Sequence, residues 1–287
     1  MKTLELYNTK SILSFEIFPP QGSDPLTAIH NTVQKLKELN PDFISVTYSA
    51  GKSENKANTF EIASVIKNHY GIESVAHLPG LHLSKRAVLK ILDYCKCSGI
   101  ENILALRGDT NPALTPHNDF RYASDLISFI KENGDFNIIG ACYPEGHIES
   151  PTIIEDIRNL KNKVDAGADQ LITQLFFDNN SFYSFRERAV IAGINVPIKA
   201  GIMPVMSKRQ TERMVALNRI KLPKKFISIM NKYENNPEAM RDAGIAYAVD
   251  QIVDLITQGV DGIHLYTMNN AYIASQIYKA INTLLVA

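Results

Sequence analysis

Short apolar runs, rich in Val, Ile, Leu or Phe, recur along the chain at 12–18, 43–46, 74–76, 103–106, 138–141, 171–172, 198–202 and 263–265, mostly about thirty residues apart. A polar, chemically capable residue lies at or just past the C-terminal edge of these runs. Glu16 is near the end of the first, and Thr47, His77, the Arg107-Gly108-Asp109 turn, Tyr143, Gln174, the Pro204 turn and Tyr266-Thr267 follow the others. In a barrel of eight parallel strands the strand bodies fill a packed core and the C-terminal rim carries the active site. The pattern therefore predicts one site mounted on a rim.

Helical patterns occupy the intervals. The stretch 25–39 places Leu26, Ile29, Val33, Leu36 and Leu39 at steps of three or four, making one apolar face, and Asn40-Pro41 ends it. Similar patterns cover 58–70, 84–98, 122–133, 152–166, 181–192 and 208–217. Gly71, Gly99, Gly134, Gly167 and Gly193 follow helices where a C-cap takes a left-handed backbone. Alternating strands and helices give a parallel sheet, and the count of eight favours closure into a (β/α)8 TIM barrel. The insertion at 218–259 carries Pro223 and Pro237, which open two extra helices before the last strand. A length of 287 residues fits a single catalytic barrel domain spanning 1–287.

The 30 basic residues balance 30 acidic ones, so no long-range field draws in nucleic acid or an acidic membrane surface. No run approaches the roughly 18 apolar residues of a membrane span, and no apolar signal core follows Lys2. Cys95, Cys97 and Cys142 are too few for a disulfide framework, which suits a reducing cytoplasm. The seven histidines show no metal-ligand spacing. The expected ligand is small and locally recognised; a homo-oligomer is left open.

Three local features carry chemistry. Glu16 sits among aromatics and is followed by Pro19-Pro20; desolvation there would keep its carboxyl protonated, as a general acid requires. A buried glutamate paired with an arginine fits the same residues, and position at the rim favours the acid. In the turn after the fourth run, Gly108 lets the backbone approach a flat or anionic ligand, Arg107 offers a planar fork of donors and Asp109 a fixed negative charge. In the next segment, Asp156, Asn159 and Lys163 share a helical face that could hold a ribose and phosphates, although a solvated polar stripe has the same spacing. No Gly-x-Gly-x-x-Gly or Walker loop is present, so a nucleotide cofactor would not be bound in a Rossmann manner.

Taken in order, SFEIFPP at 14–20, FISVTY at 43–48, LALRGD at 104–109, YASDL at 122–126, YPEGH at 143–147, DAGA at 165–168, ITQLFF at 172–177 and LYTMN at 265–269 resemble the methylenetetrahydrofolate reductase family. The resemblance implies a flavoprotein of one-carbon metabolism and methionine synthesis. NADH or NADPH would reduce bound FAD and leave, and methylenetetrahydrofolate would then accept the hydride. Glu16 matches the proton donor that opens the substrate's five-membered ring, and Asp109 the carboxylate that stabilises the resulting cation. Gln174 matches the residue that bonds pterin or nicotinamide in turn. For FAD the matching positions are Thr47, Tyr48, His77, Arg107, Gly108, Asp109, Ala123, Tyr143, His147, Asp156, Asn159, Asn162 and Lys163; for substrate they include Gln210, Met214 and Asn270.

The chain departs from the family's pattern at four places. Asn162 stands where many bacterial members have a basic residue, and Met214 where an aromatic often covers the substrate. His77-Leu78-Pro79-Gly80 replaces a commoner Thr-Cys pair. Asn270 replaces the arginine that usually meets the folate tail, a charge that Lys208 or Arg209 could supply instead. Two rival readings follow: a variant reductase fed by a partner protein or using another reduced pterin, and a non-catalytic barrel that binds flavin or folate.

Overall fold

A computed structural model describes residues 1–8, 11–20, 25–49, 58–110 and 117–285. Eight parallel strands close into a barrel: β1 (Ile12–Ile17), β2 (Phe43–Val46), β3 (Glu73–Pro79), β4 (Asn102–Leu106), β5 (Asn137–Cys142), β6 (Gln170–Thr173), β7 (Ile198–Ile202) and β8 (Gly262–Tyr266), with β8 pairing back onto β1. Helices α1 (Pro25–Lys37), α2 (Thr59–Asn68), α3 (Lys85–Cys97), α4 (Ala123–Asn133), α5 (Ile153–Asp165) and α6 (Asn179–Ile191) fill the successive crossovers. After β7 come α7 (Lys208–Leu217), α8 (Lys224–Tyr233) and α9 (Pro237–Thr257), and α10 (Ala271–Ile281) follows β8. The (β/α)8 barrel with extra helices before the last strand is thus the observed fold.

Strand alternation divides the barrel into two cores. On β1, Leu13, Phe15 and Ile17 point outward and pack with Ile29, Val33 and Leu36 of α1. The side chain of Leu26 lies outside the described residues. Ile12 faces inward and joins Phe43, Val75, Leu104, Ile139 and Ile172 in a smaller cluster inside the barrel. Ser14 and Glu16 share that inward side of β1, which brings Glu16 to the rim.

Below the inner apolar cluster the barrel is polar. Asn102, Asn137, Gln170 and Lys199 are all buried there, closed over by the N-terminal 3-10 helix, Thr3–Asn8. Asn102 accepts the Thr3 backbone N–H at 2.8 Å, while Asn137 and Gln170 donate to Thr3 Oγ1 at 2.9 and 2.7 Å. Lys199 donates to Tyr7 Oη and Gln170 Oε1, and its ammonium lies 5.0 Å from the ring centres of both Tyr7 and Phe43. Among the described residues no carboxylate touches it, and burial lowers its pKa to about 7.

The insertion does more than add helices. The long α9 packs against α6, α10 and β7, so it takes the place of the seventh crossover helix, and α7 and α8 are the extra pair. Gly71, Gly99, Gly167 and Gly193 have φ between 69 and 113°, as a left-handed C-cap requires. Gly134 does not: at φ 174° it is extended, and its missing side chain leaves room for the Phe136 ring, 2.5 Å from where a Cβ would stand. Cys95 and Cys142 are buried and Cys97 is exposed; all three are free. Among the described residues no helix is long and apolar enough to cross a membrane.

Candidate active site

The C-terminal strand ends surround a cavity of about 790 Å³. Glu16 lies at its floor. The peptide carbonyl of Glu16 accepts both the backbone N–H and the hydroxyl of Thr267, at 3.3 and 2.7 Å, which ties the end of β1 to the end of β8. Asn269 reinforces the tie by donating to Phe18 O at 2.8 Å and accepting from Phe18 N at 3.0 Å. Met268 and Asn269 hold φ of 51° and 56° to make that turn.

The Glu16 carboxyl meets two histidines. Its Oε2 is 3.6 Å from His77 Nε2 and 3.5 Å from His264 Nε2. Burial raises the carboxyl pKa, opposed in part by His77. Burial also lowers His77 to about 4 and His264 to about 3, so both rings are neutral at pH 7. The described residues bring no arginine to Glu16, so the arginine-paired reading does not hold. Tyr266 also enters the barrel and donates to Thr173 O at 2.7 Å. Gly201 makes room for it: a Cβ there would stand 2.8 Å from the Tyr266 ring.

One wall of the cavity is cationic and rich in donors. Lys163 lies half-buried against it, donates to Ala141 O at 2.9 Å, and lies 5.5 Å from the centre of the Tyr143 ring. Burial lowers its pKa. Asp156, Asn159 and Asn162 line the same wall, as do Tyr122, Ala123 and Ser124 at the start of α4. A helix N-terminus presents backbone N–H groups and partial positive charge to an anion. Asp156 Oδ1 accepts from His147 N and Ser150 Oγ at 3.2 and 2.8 Å, so it also shapes the turn after β5. Arg107 donates through both terminal nitrogens to Glu149, with Nη2 to Oε1 at 2.7 Å. That bond raises the Arg107 pKa.

Thr47, Asp109 and Gln174 also line the cavity. Gln174 accepts from Leu175 N at 2.9 Å and donates to Asn218 Oδ1 at 3.3 Å; Asn218 in turn donates to Met214 O at 3.0 Å. The end of α7 is thereby coupled to the site. Gly108, with φ 87°, turns the chain between Arg107 and Asp109.

Of the residues the sequence singled out, Glu16, Thr47, His77, Arg107, Gly108, Asp109, Ala123, Tyr143, His147, Asp156, Asn159, Asn162, Lys163 and Gln174 converge on this one cavity. Tyr48, Gln210, Met214 and Asn270 lie off its wall. Tyr48 packs half-buried against the outer core, and Gln210 sits in the first turn of α7, its backbone N–H capped by Ser207 Oγ at 3.2 Å. Met214 joins a cluster with Leu175, Phe177 and Met203. Asn270 is the N-cap of α10, where its Oδ1 accepts from Ile273 N at 3.3 Å. Lys208 is paired with Glu234 at 2.9 Å. Sequence reading had passed over His264, Glu149 and Tyr122 as site residues. Only His264 carried a usable signal: with Gly262 and Tyr266 it marks the inward side of β8.

A family model described as methylenetetrahydrofolate reductase matches residues 2–282, nearly the whole chain. The chain belongs to the methylenetetrahydrofolate reductase family. Relatives in this family named 5,10-methylenetetrahydrofolate reductase include one from Pectobacterium carotovorum, 39% identical over 92% of this chain and 88% of its own length. Another, from Escherichia coli, is 38% identical over 90% of this chain and 86% of its own. Among solved structures, an uncharacterized Clostridium thermocellum protein that binds two copies of 5-methyl-5,6,7,8-tetrahydrofolic acid superposes with a TM-score of 0.67, covering 98% of each chain at 12% identity. At that identity the likeness speaks for the barrel fold of this reductase family member and nothing finer.

Proposed function

We propose that the chain is a single-domain, flavin-dependent reductase that converts 5,10-methylenetetrahydrofolate to 5-methyltetrahydrofolate with NADH or NADPH, in the cytoplasm and in support of methionine synthesis. The observation that carries the reading is the Glu16 carboxyl, burial-raised and facing a folate-sized cavity with Asp109 and Gln174 beside it. Membership of the reductase family supports the reaction class.

The cavity's residues fit a flavin dinucleotide. Lys163 has three N–H donors and one recorded acceptor, the start of α4 opens on the same wall, and about 790 Å³ lies within the usual range of ligand sites. Lys163, Arg107, Asn159, Asp156 and the first N–H groups of α4 would hold the phosphates and ribose, and Tyr143, His147, Thr47 and His77 the rest. Bound there, FAD would supply two-electron hydride chemistry between the nicotinamide and the folate.

Glu16 would protonate the bridging nitrogen of the methylene group, so that the C–N bond breaks and a cationic iminium forms on the substrate. Burial raises the Glu16 pKa and so favours the protonated carboxyl that such a donation requires. Asp109 would stabilise the cation through its fixed charge. Gln174, with one acceptor and one donor end held by Leu175 and Asn218, would orient an amide-like edge of either pterin or nicotinamide. Asp109 and Gln174 can thus serve both substrates in turn, as a ping-pong order needs.

The test uses purified protein under anaerobic conditions. A bound flavin spectrum that bleaches with NADH or NADPH and returns on adding methylenetetrahydrofolate is expected. Bleaching without return would reject the folate reaction and leave a different acceptor.

A further inference from the structure

A smaller cavity of about 260 Å³ borders the first, and the two share Arg107, Asp109, Tyr143, His147, Glu149 and Gln174 along their walls. At that size it takes part of a ligand, since whole small-molecule sites start at roughly 300 Å³. The segment after α7 completes it, through Asn218, Arg219 and Ile220. This segment is anchored on both sides of Arg219. Gln174 donates to Asn218 Oδ1 at 3.3 Å, and Lys221 N donates to Glu145 Oε2 at 3.0 Å. The backbone that carries Arg219 is thereby tied to Gln174.

The charged groups of this side pocket are not equally engaged. Glu145 also accepts from Ser181 Oγ at 3.1 Å, and Glu149 is held by Arg107. Arg219 is exposed, and among the described residues it has no recorded hydrogen-bond or ion-pair partner. Pro144, Ile148, Leu175 and Ile220 supply apolar surface in the same pocket. The combination suits a flat uncharged group followed by an anion.

Of the two substrates, only the folate presents its groups in that order: beyond the pterin come a neutral aminobenzoyl ring and then a glutamyl group with two carboxylates. A nicotinamide dinucleotide instead carries a diphosphate one ribose away from its ring, and Asp109, Glu145 and Glu149 would set carboxylates against it. Lys208 is paired with Glu234, Arg209 lines neither cavity and Asn270 caps α10, which leaves Arg219 as the cation for the tail.

Resting on the reading of this chain as a methylenetetrahydrofolate reductase, we propose that the side pocket holds the aminobenzoyl ring and that Arg219 is a specificity-determining residue that binds a tail carboxylate. The planar fork of a guanidinium matches a carboxylate in bidentate geometry. With Gln174 at the pterin edge and Asn218 bonded to it, both ends of the substrate are held by one connected set of residues.

Binding to the flavin-loaded protein tests this without turnover. One probe is 5-methyltetrahydrofolate, and the other is the amide of its pteroyl part, which lacks the glutamyl carboxylates. Wild type should bind the first about fivefold more tightly than the second, a modest ratio because solvent screens an exposed pair. Arg219→Gln should bind both alike, and Arg219→Lys should recover part of the preference. The KM for methylenetetrahydrofolate should rise about fivefold in Arg219→Gln with kcat little changed, since the contact is made equally in the ground and transition states. An undiminished preference in Arg219→Gln overturns the inference and leaves the reductase reading standing. Weaker binding of NADH or NADPH with the folate preference intact also overturns it, and gives the guanidinium to the dinucleotide. If wild type binds 5-methyltetrahydrofolate but does not reduce methylenetetrahydrofolate, the proposed activity falls and the two probes still decide the pocket; no folate binding at all overturns both.

Discussion

Glu149 holds the Arg107 guanidinium by both terminal nitrogens beside the cavity, and both residues line its wall. A carboxylate in that position occupies the donors that an incoming phosphate or flavin edge would want. The pair is partly exposed, at 26% and 54% for the two side chains, so solvent screens it and its strength as an ion pair is small. Its cost to a competing anion is nevertheless real, because the carboxylate has to be displaced. Glu149→Gln should therefore bind FAD more tightly, by about twofold to fivefold. Flavin fluorescence on serial dilution measures it; weaker binding would mean that Glu149 orients Arg107 for the cofactor.

Lys163 makes the opposite case, since it has no carboxylate partner among the described residues and only Ala141 O as a recorded hydrogen-bond acceptor. Removing the charge while keeping the stem, as in Lys163→Met, should cost a charge-assisted contact of roughly 1.5–3 kcal/mol, or about tenfold to a hundredfold in flavin affinity. Circular dichroism should be unchanged. Equal flavin retention by variant and wild type would remove Lys163 from the cofactor site.

The outer barrel was legible because its strands are bounded by apolar runs. Phe43–Val46 and Ile198–Ile202 coincide with their runs residue for residue. Five other strands start one residue early, at Glu73, Asn102, Asn137, Gln170 and Gly262, and three of these mismatches share a cause. Asn102, Asn137 and Gln170 point inward at the barrel base to meet the N-terminal helix, so a search for apolar residues stops short of them. At the rim, the helical stripe of Asp156, Asn159 and Lys163 was readable from spacing. The Glu16–His264 contact was not: the residues are 248 positions apart in number and meet only when β8 closes on β1.

Asn270 replaces an expected arginine, and the structure gives it a local task as the cap of α10. Asn270→Arg should lose that cap and destabilise the protein by about 1 kcal/mol. If the folate tail passes this point, the added guanidinium should still lower the KM for methylenetetrahydrofolate about threefold to tenfold, with NADH oxidation by an artificial acceptor unaffected. Urea titration and steady-state kinetics separate the two effects. A lower stability with an unaltered KM would place the tail elsewhere on the rim.

Glu16→Gln keeps the size of the side chain and its capacity to hydrogen-bond but has no acidic proton to give. Folding and flavin binding should survive, because the carbonyl tie to Thr267 is made by the backbone. Reduction by NADH should proceed at a similar rate, and reoxidation by methylenetetrahydrofolate should fall about 10² to 10⁴-fold. Stopped-flow absorbance resolves the two half-reactions. Equal slowing of both would make Glu16 a structural residue.

Lys199 offers a pH test that is independent of any ligand. Its folded-state pKa is lowered to about 7 from the ordinary 10.5, chiefly by burial. Between those values the unfolded chain holds the proton and the folded chain does not. Stability must then rise with pH across this window, and the contribution is lost again as the pH falls through about 7. The full shift corresponds to an upper bound of roughly 5 kcal/mol. Lys199→Met removes the titrating group and fills similar space between the Tyr7 and Phe43 rings, so the variant should be at least as stable as the wild type near pH 6. Its stability should also lose the rise between pH 7 and 10 that the wild type shows. Urea midpoints measured at several pH values give the difference directly, and parallel pH profiles for the two proteins would mean that Lys199 stays charged inside the barrel.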